Sequence, residues 1–173
     1  MASAGVKLLA NYAMRAYEAE VSQTVANTAG YHSINTGYRL SSGNGLLIHR
    51  VLFFVGVAIF QDLVVAGDEL QVGLFSGTDT TDFNSTNAQK HAAKCVVSAE
   101  AAPLGRWVSP LELKFEDLPG GGILVPPSPL YAGLQTFGAA AAYTVGFEMW
   151  YTPVQIPKPE TLEMVLPFIP ADV

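Results

Sequence analysis

Apolar and polar residues alternate along much of the chain, which is the pattern of strands that bury one face. In residues 16–25, Tyr17, Ala19 and Val21 share one face, and acidic or hydroxyl side chains occupy the other. Residues 142–156 repeat the pattern more strongly, with apolar side chains at every second position from Tyr143 to Tyr151. Both segments are predicted to be half-buried strands.

The same alternation, interrupted by turn residues, predicts further strands. They cover residues 33–42, 46–60, 69–76, 94–101, 111–118, 123–125 and 130–137. The run 46–60 is too continuously apolar for a one-sided strand, so it is interpreted as a central strand covered on both sides, or as one strand bent into the next. Asn44-Gly45 before it has the residues of a turn.

Eight or nine strands without an interior helix predict an all-β fold, a single jelly roll or eight-stranded β-sandwich barrel with short extended terminal arms. The chain is one domain, 1–173, with an N-terminal arm to about residue 15, a barrel over 16–156 and a tail over 157–173. Two stretches stay ambiguous: residues 6–17 suit a helical stripe as well as a strand, and 87–94 have room for one helical turn.

Charge is sparse, and this changes the functional picture. Charged residues make up 14% of the chain, against roughly 25% in an average soluble domain. Such a surface is either unusually neutral or covered by neighbouring subunits, and we favour the second. The formal charge is -6, with no run of basic residues, so the electrostatic footprint of a nucleic-acid-binding protein is missing.

Histidine and cysteine do not form a catalytic or metal-binding pattern. His91 and Cys95 have helical ligand spacing, but no second pair completes a four-ligand site. His49, beside Arg50 in the most apolar segment, is interpreted as a satisfied strand residue or an inter-subunit contact rather than a base. His32 has no evident partner in the sequence. We therefore expect no enzyme activity, no cofactor and no metal.

Carboxylates are equally uninformative about catalysis. The acidic pairs at 68–69 and 116–117 lie at strand boundaries, where adjacent side chains point to opposite faces. Asp79, Asp82 and Asn84 lie in a polar loop with oxygen ligands for a hard cation, but their spacing is not that of an EF-hand. A solvated loop is the favoured interpretation.

Two segments carry a family resemblance. The first, residues 37–60, reads GYRLSSGNGLLIHRVLFFVGVAIF, a short polar strand, a turn and a long apolar strand. The second, residues 111–156, has a Gly/Pro-rich excursion, the sequence PLYAG and a closing aromatic strand that contains Trp150-Tyr151. Together with its length, the chain resembles the smaller major capsid protein of membrane-containing icosahedral viruses. These include a Thermus phage and haloarchaeal viruses whose capsomers use two upright single β-barrels.

The resemblance implies a structural coat protein of the virion, with no catalytic residues. It implies self-association, expected as a homodimer, and assembly with a second, larger capsid protein into a shell around an internal membrane. Contact with that membrane is a further expectation, and direct contact with nucleic acid is not expected. The apolar tail residues are the expected subunit interface: Leu162, Met164, Leu166, Phe168 and Ile169.

Two other functional classes stay open. A carbohydrate- or ligand-binding sandwich would use Trp107, Tyr131 or Trp150 as stacking platforms. A cupin-like enzyme would need two or more histidines with a carboxylate on neighbouring strands, and the three histidines are scattered.

Overall fold

The computed structural model describes residues 7–8, 13–37, 44–75, 91–98, 110–118, 120–125 and 129–155. These residues form strands and one short helix. In chain order they are β1 Lys7–Leu8, β2 Arg15–Ser22, β3 Gly30–Ser33, β4 Asn44–Phe54, α1 Val57–Asp62, β5 Glu69–Phe75, β6 His91–Ser98, β7 Leu111–Lys114, β8 Ile123–Val125, β9 Tyr131–Phe137 and β10 Thr144–Gln155.

The strands form two antiparallel sheets. In the first sheet, β10 lies between β4 and the edge formed by β2 and β1, while β7 and β8 pair with the far side of β4. The second sheet has the order β3-β9-β5-β6. This is the predicted fold class: an all-β jelly roll of two sheets, in which strands distant in the chain lie side by side.

The core lies between the sheets and is built by the alternation visible in the sequence. Val145, Phe147 and Met149 of β10 are buried, as is Val21 opposite them on β2. Phe147 stacks on Phe53 of β4, with ring centroids 6.1 Å apart. Burial of side chains of this size contributes about 1.5–3 kcal/mol each, so the packing between the sheets is the main stabilising contribution.

The pairing of the central strand β10 with its neighbours has two irregularities. A bulge falls where Trp150 and Tyr151 face Arg50 and Ile48, so that His49 is the extra residue of β4. Pro153 lies between the stretch paired with β2 and the stretch paired with β1. Pro153 pairs with Leu46 of β4, but no described residue of β1 or β2 pairs with it, so a proline without an N–H is tolerated inside a central strand.

The predicted strand over residues 46–60 is wrong beyond Phe54. The chain leaves the sheet at Val55, and residues 57–62 form α1. One face of α1 buries Ile59, and Leu63 just after it is also buried. A run of apolar residues has the same composition whether it is buried in a strand or in a helical turn, so the bend leaves no periodic signal.

Other boundary predictions are also wrong, and the strand predicted over 111–118 ends at Lys114 as β7. The strand predicted over 33–42 is instead β3 at residues 30–33, while 38–43 lie outside the described residues. The predicted turn at Asn44-Gly45 is the start of β4, paired with Gln155 and Val154 of β10. The helical turn suggested for 87–94 is excluded over 91–94, which belong to β6 and pair with β5.

The other ambiguous stretch, residues 6–17, contains β1 and the first residues of β2 where it is described. The strands predicted at 69–76, 123–125, 130–137 and 142–156 correspond to β5, β8, β9 and β10. The division into arm, barrel and tail stays a prediction.

Candidate functional site at the loop end of the barrel

Three connections within the described residues meet at one end of the barrel, and we call the surface that they form the loop end. They are residues 23–29 between β2 and β3, residues 55–68 between β4 and β5, and residues 138–143 between β9 and β10. The antiparallel order of the strands brings them together, since β2 ends where β10 begins and β4 ends beside them. Hydrogen bonds then tie each connection to residues 138–143.

Asn27 joins the first connection to the third. Its Nδ2 donates to the carbonyl oxygen of Ala139, and its Oδ1 accepts from the Ala139 N–H, both at 2.9 Å. One amide side chain thus satisfies both backbone groups of a loop residue, as a neighbouring strand would. Asn27 has a φ of 61°, a left-handed conformation that asparagine tolerates better than most residues.

Gln23, which is only 7% exposed, also joins the first connection to the third. Its Nε2 donates to the Thr28 carbonyl at 2.7 Å and to Oγ1 of Thr136 at 3.1 Å. Its Oε1 accepts from the Tyr143 N–H at 3.3 Å. A buried amide with partners on both ends stabilises one arrangement of the loops and penalises others.

Asp62, the last residue of α1, joins the second connection to the third. Its Oδ2 accepts from the Ala140 N–H at 2.7 Å and from the Tyr143 hydroxyl at 2.8 Å. The hydroxyl of Tyr143 and then the Ala140 N–H lower the pKa of Asp62, against an opposing effect of desolvation. Desolvation, together with the Asp62 carboxylate, raises the pKa of Tyr143.

A second carboxylate belongs to Asp68, the last residue of the connection between β4 and β5, which is 8% exposed. Its Oδ2 accepts from the Val65 N–H at 2.8 Å. Gly138 packs directly on this carboxylate: a Cβ at position 138 would collide with Oδ1, and its φ of 80° is left-handed. A side chain at 138 is therefore excluded by both contact and conformation.

The outside of the loop end is apolar and almost uncharged. Exposed fractions of its valines are 61% for Val25, 69% for Val57, 47% for Val64 and 64% for Val65. The three connections contain no Lys, Arg, His or Glu, and their aspartates are the two just described. Apart from Asp62 and Tyr143, which are hydrogen-bonded to each other, the valine-bearing surface is apolar and can bury area against a partner.

The outer face of the first sheet is different in character. Glu18, Glu20 and Glu148 line a shallow, open groove of about 470 Å³ together with Phe54 and Gly146. Glu18 and Glu148 are direct cross-strand neighbours, a pairing that costs free energy because the charges are alike. Within the described ranges, no group of three or more His, Cys, Asp or Glu is arranged to hold a metal ion.

Few basic residues lie on the outer face of the first sheet. Arg50 lies 5.5 Å from the centroid of the Trp150 ring and 3.6 Å from a Glu112 carboxylate oxygen. Lys114 pairs with Asp117 at 3.3 Å. The face therefore carries a net negative charge.

His49 is a satisfied strand residue, one of the two alternatives that the sequence left for it. Its Nδ1 donates to the Gly121 carbonyl at 2.7 Å, because a carbonyl oxygen only accepts. Its Nε2 is 2.8 Å from Oγ1 of Thr152. Both ring nitrogens are thus used to hold the β4 bulge against β10 and the turn before β8.

His32 has a partner that the sequence did not reveal. Its Nε2 is 3.1 Å from the hydroxyl of Tyr17 on β2, and its ring lies 6.0 Å from that of Phe147. This contact joins β3 of one sheet to β2 of the other. Both partners are half-buried, so the contact serves packing between the sheets.

The other residues that the sequence suggested for a catalytic or metal-binding site do not come together in one place. Burial raises the pKa of the Cys95 thiol, which disfavours the thiolate that binds metals. The Asp68 carboxylate accepts a hydrogen bond from the Val65 N–H, and the Glu69 carboxylate accepts one from the Gln71 side chain. The polar loop with Asp79, Asp82 and Asn84, Trp107, and the tail interface residues Leu162, Met164, Leu166, Phe168 and Ile169 lie outside the described residues.

The described part of the chain thus offers contact surfaces and a hydrogen-bonded loop end, in which Asp62, Asp68 and Tyr143 bind one another or backbone groups. No described helix is long and apolar enough to cross a membrane. Sequence reasoning missed the loop end, since its members come from three connections whose proximity depends on strand order.

No protein-family model and no curated relative matches the sequence. Solved structures do share the fold. Merkel cell polyomavirus VP1 in complex with GD1a oligosaccharide aligns with a TM-score of 0.57 at 7% identity, covering 88% of this chain and all of that one. The unassembled VP1 pentamer of the same virus gives the same score and identity, with 88% and 98% coverage.

A third structure is VP1 of Trichodysplasia spinulosa-associated polyomavirus, with a TM-score of 0.52, 11% identity and coverage of 87% and 98%. At such identities the likeness concerns the fold. The chain is a jelly roll of the kind found in polyomavirus VP1.

Proposed function

We propose that this chain is a structural coat protein of a virus, a single-barrel capsid subunit that assembles with copies of itself. The observation that carries the proposal is the match of the complete two-sheet barrel to VP1 capsid proteins over nearly the whole of both chains. The low charge supports it, because such a surface is best tolerated when neighbouring subunits cover it. In this function the chain resides in the capsid shell of the virion.

The finer proposal follows the resemblance of segments 37–60 and 111–156. In it the subunit is a homodimer that joins a second, larger capsid protein in an icosahedral shell around an internal membrane. The absence of a basic run supports a shell that does not touch the genome, because coat proteins that bind nucleic acid neutralise phosphates with Lys and Arg. The pentamer of Merkel cell polyomavirus VP1 makes five-fold self-association the main alternative to the dimer.

The tail is proposed to be an inter-subunit arm. Strand β10 ends at Gln155, at the end of the barrel away from the loop end, and the apolar residues 162–169 follow it. Deleting residues 158–173 is expected to leave a folded barrel that self-associates less. Sedimentation velocity across a concentration series measures the association, and circular dichroism checks the fold.

The matched control replaces Leu162, Met164 and Leu166 by serine in the full-length chain, which keeps the tail but removes its apolar side chains. Both variants should shift the association curve to higher concentration. Unfolding of the deletion variant would place the tail in the core instead. A strictly monomeric wild-type protein at high concentration in every salt condition would contradict the coat function itself.

A carbohydrate-binding module is the second candidate, because three of the VP1 structures that share this fold are complexes with oligosaccharides. The described aromatic side chains do not favour it. Tyr131 packs edge-on against Tyr31 at 6.4 Å in the second sheet. Trp150 is already covered by Arg50. Binding of the purified protein to a glycan array, combined with a failure to self-associate at any concentration or salt, would support this candidate over the first.

A further inference from the structure

We propose that β6, an edge strand of the second sheet, pairs with β6 of a second copy of this chain and so joins two second sheets into one. The inference rests on the proposed coat function and names the contact through which two copies meet. It is carried by the strand order, by the length and sequence of β6, and by its register with β5.

Among the described strands, β6 has a neighbour on one side only. It spans His91–Ser98 and pairs with β5, and no other described strand pairs with it. The main-chain N–H and C=O groups of an antiparallel strand point alternately to its two sides, so the other side of β6 presents a row of donors and acceptors. A second strand satisfies such a row with hydrogen bonds that need no particular side chain.

The other edges of the two sheets are short, interrupted or charged. β3 has four residues, and the edge beyond β4 consists of β7 and β8, of four and three residues, with residues 115–122 between them. On β2, Glu18 and Glu20 are exposed. Each of these features prevents an edge from pairing with another chain. β6 has eight residues with neither a proline nor a carboxylate, and its register with β5 is regular over Lys94–Ser98.

The charge of β6 selects a second copy as the occupant. Copies of a chain with a net charge of -6 repel one another, so they meet most favourably where carboxylates are few and a base is present. β6 contains Lys94 and none of the fifteen Asp and Glu. Glu69 of β5 lies opposite Ser98 and accepts from its hydroxyl at 3.4 Å. One edge therefore has a base near its middle and a carboxylate beside its end.

A two-fold axis at Val96 makes this arrangement complementary. When Val96 lies opposite Val96 of the second copy in an antiparallel pair, position 94 lies opposite position 98 of the other strand. The lysine at 94 is then next to the serine that binds Glu69, so opposite charges approach each other twice in the dimer. The pairing also covers Val96, which is 47% exposed. An axis at Lys94 would place two lysines opposite each other, which is unfavourable.

The test is a charge exchange in the full-length chain, measured by sedimentation velocity across a concentration series. Lys94→Glu should raise the dissociation constant of the dimer about tenfold, because two attractive approaches become repulsive. Glu69→Lys alone should also raise it. Lys94→Glu combined with Glu69→Lys should return it to within about threefold of the wild type, since the two charges have changed places.

Lys114→Glu is the matched control. It makes the same change of charge on the first sheet, where Lys114 pairs with Asp117, and should raise the dissociation constant much less. Equal effects of Lys94→Glu and Lys114→Glu, or a double variant that does not recover, overturn the inference.

A cysteine at position 96 tests the register. Residues opposite each other in an antiparallel pair have Cα atoms about 4.5–5.5 Å apart, a separation that a disulfide spans. In a Cys95→Ala background, Val96→Cys should therefore give linked dimers on oxidation. Leu118→Cys, at an exposed apolar position outside β6, should not. Absence of dimers linked through position 96, or an equal yield through position 118, contradicts the contact.

Hydrogen exchange of the wild type distinguishes a second copy from another occupant of the edge. Amides of residues 94–98 that point to the free side should exchange quickly where the protein is monomeric and slowly where it is dimeric. Equal protection at both concentrations would mean that a segment of the same chain pairs with β6, and the inference would be wrong. This measurement needs no variant, so it decides the question even if a variant does not fold.

The failures of the two proposals are distinguishable. A wild-type protein that never associates overturns the coat function and this contact together. Association that responds to deletion of residues 158–173 but not to the β6 variants overturns this contact alone.

Discussion

At the residue scale, single polar side chains form hydrogen bonds with loop backbone groups that no neighbouring strand pairs with. Asn27 is the clearest case, because its amide replaces a strand neighbour for Ala139. Asparagine is suited to this position for two separate reasons: the amide has both a donor and an acceptor, and the residue tolerates a φ of 61°. The two reasons can be separated by substitution.

We predict that Asn27→Gly lowers the free energy of unfolding by about 1–2 kcal/mol, since two hydrogen bonds are lost while the left-handed conformation is kept. Asn27→Ala loses the same bonds and adds the cost of a left-handed alanine, about 1 kcal/mol more. Urea unfolding followed by circular dichroism measures both. Equal stability of the two variants would mean that the turn relaxes to a different conformation.

At the scale of elements, α1 is attached to the loop between β9 and β10 through one carboxylate. The pKa of Asp62 is lowered in the folded protein, so its ionised form stabilises the fold. That stabilisation is complete above the pKa of the unfolded chain, near 3.9, and is lost as the pH falls through the lower folded value.

We therefore expect the wild type to lose stability on acidification below about pH 4–5 more steeply than Asp62→Asn. Tyr143→Phe is the matched control, because it removes the hydroxyl that contributes most to the lowered pKa and keeps the ring. It should reduce the pH dependence in part. Thermal melts between pH 2 and pH 7 measure this, and parallel curves for the wild type and Asp62→Asn would show that Asp62 is not the titrating group.

The sequence predicted the elements whose two faces differ. β2 and β10 alternate cleanly because one face packs in the core and the other meets solvent. α1 was missed because the run from Leu46 to Phe60 stays apolar through the bend at Val55 and Gly56. β3 was misplaced because Gly30 reads as a turn residue, although it begins a strand whose close approach to Ser22 leaves no room for a Cβ.

The loop end was not predictable in the same way. The hydrogen bonds between its connections join residues more than 70 positions apart, such as Asp62 with Ala140 and Asn27 with Ala139. Alternation specifies which side of a strand is buried but not which strands are neighbours. Without the order of strands, Asp62 is one polar residue in an apolar run.

At the scale of the whole molecule, charge opposes the association that the apolar surfaces favour. The chain carries a net charge of -6, and three glutamates lie together on the outer face of the first sheet. Salt screens such repulsion over a distance of about 10 Å at 0.1 M.

We predict that self-association strengthens as sodium chloride rises from about 0.05 to 0.5 M, because the Debye length falls over that interval. Glu18→Gln with Glu148→Gln should lower the salt concentration needed, and Lys114→Gln should raise it. Light scattering at fixed protein concentration measures all three proteins. Association that weakens with salt would show that attraction between opposite charges holds the subunits together.

The position of β10 has a consequence for how the barrel is made. β10 is the last of the described strands, yet it lies between β2 and β4. During synthesis on the ribosome, 121 residues follow β2 and 89 residues follow β4 before β10, the strand that joins them, begins. The first sheet closes late, and pairing between distant segments makes this a slow kind of folding. An incomplete chain lacks the middle of its own first sheet, so the two-sheet barrel forms only after β10 has been synthesised.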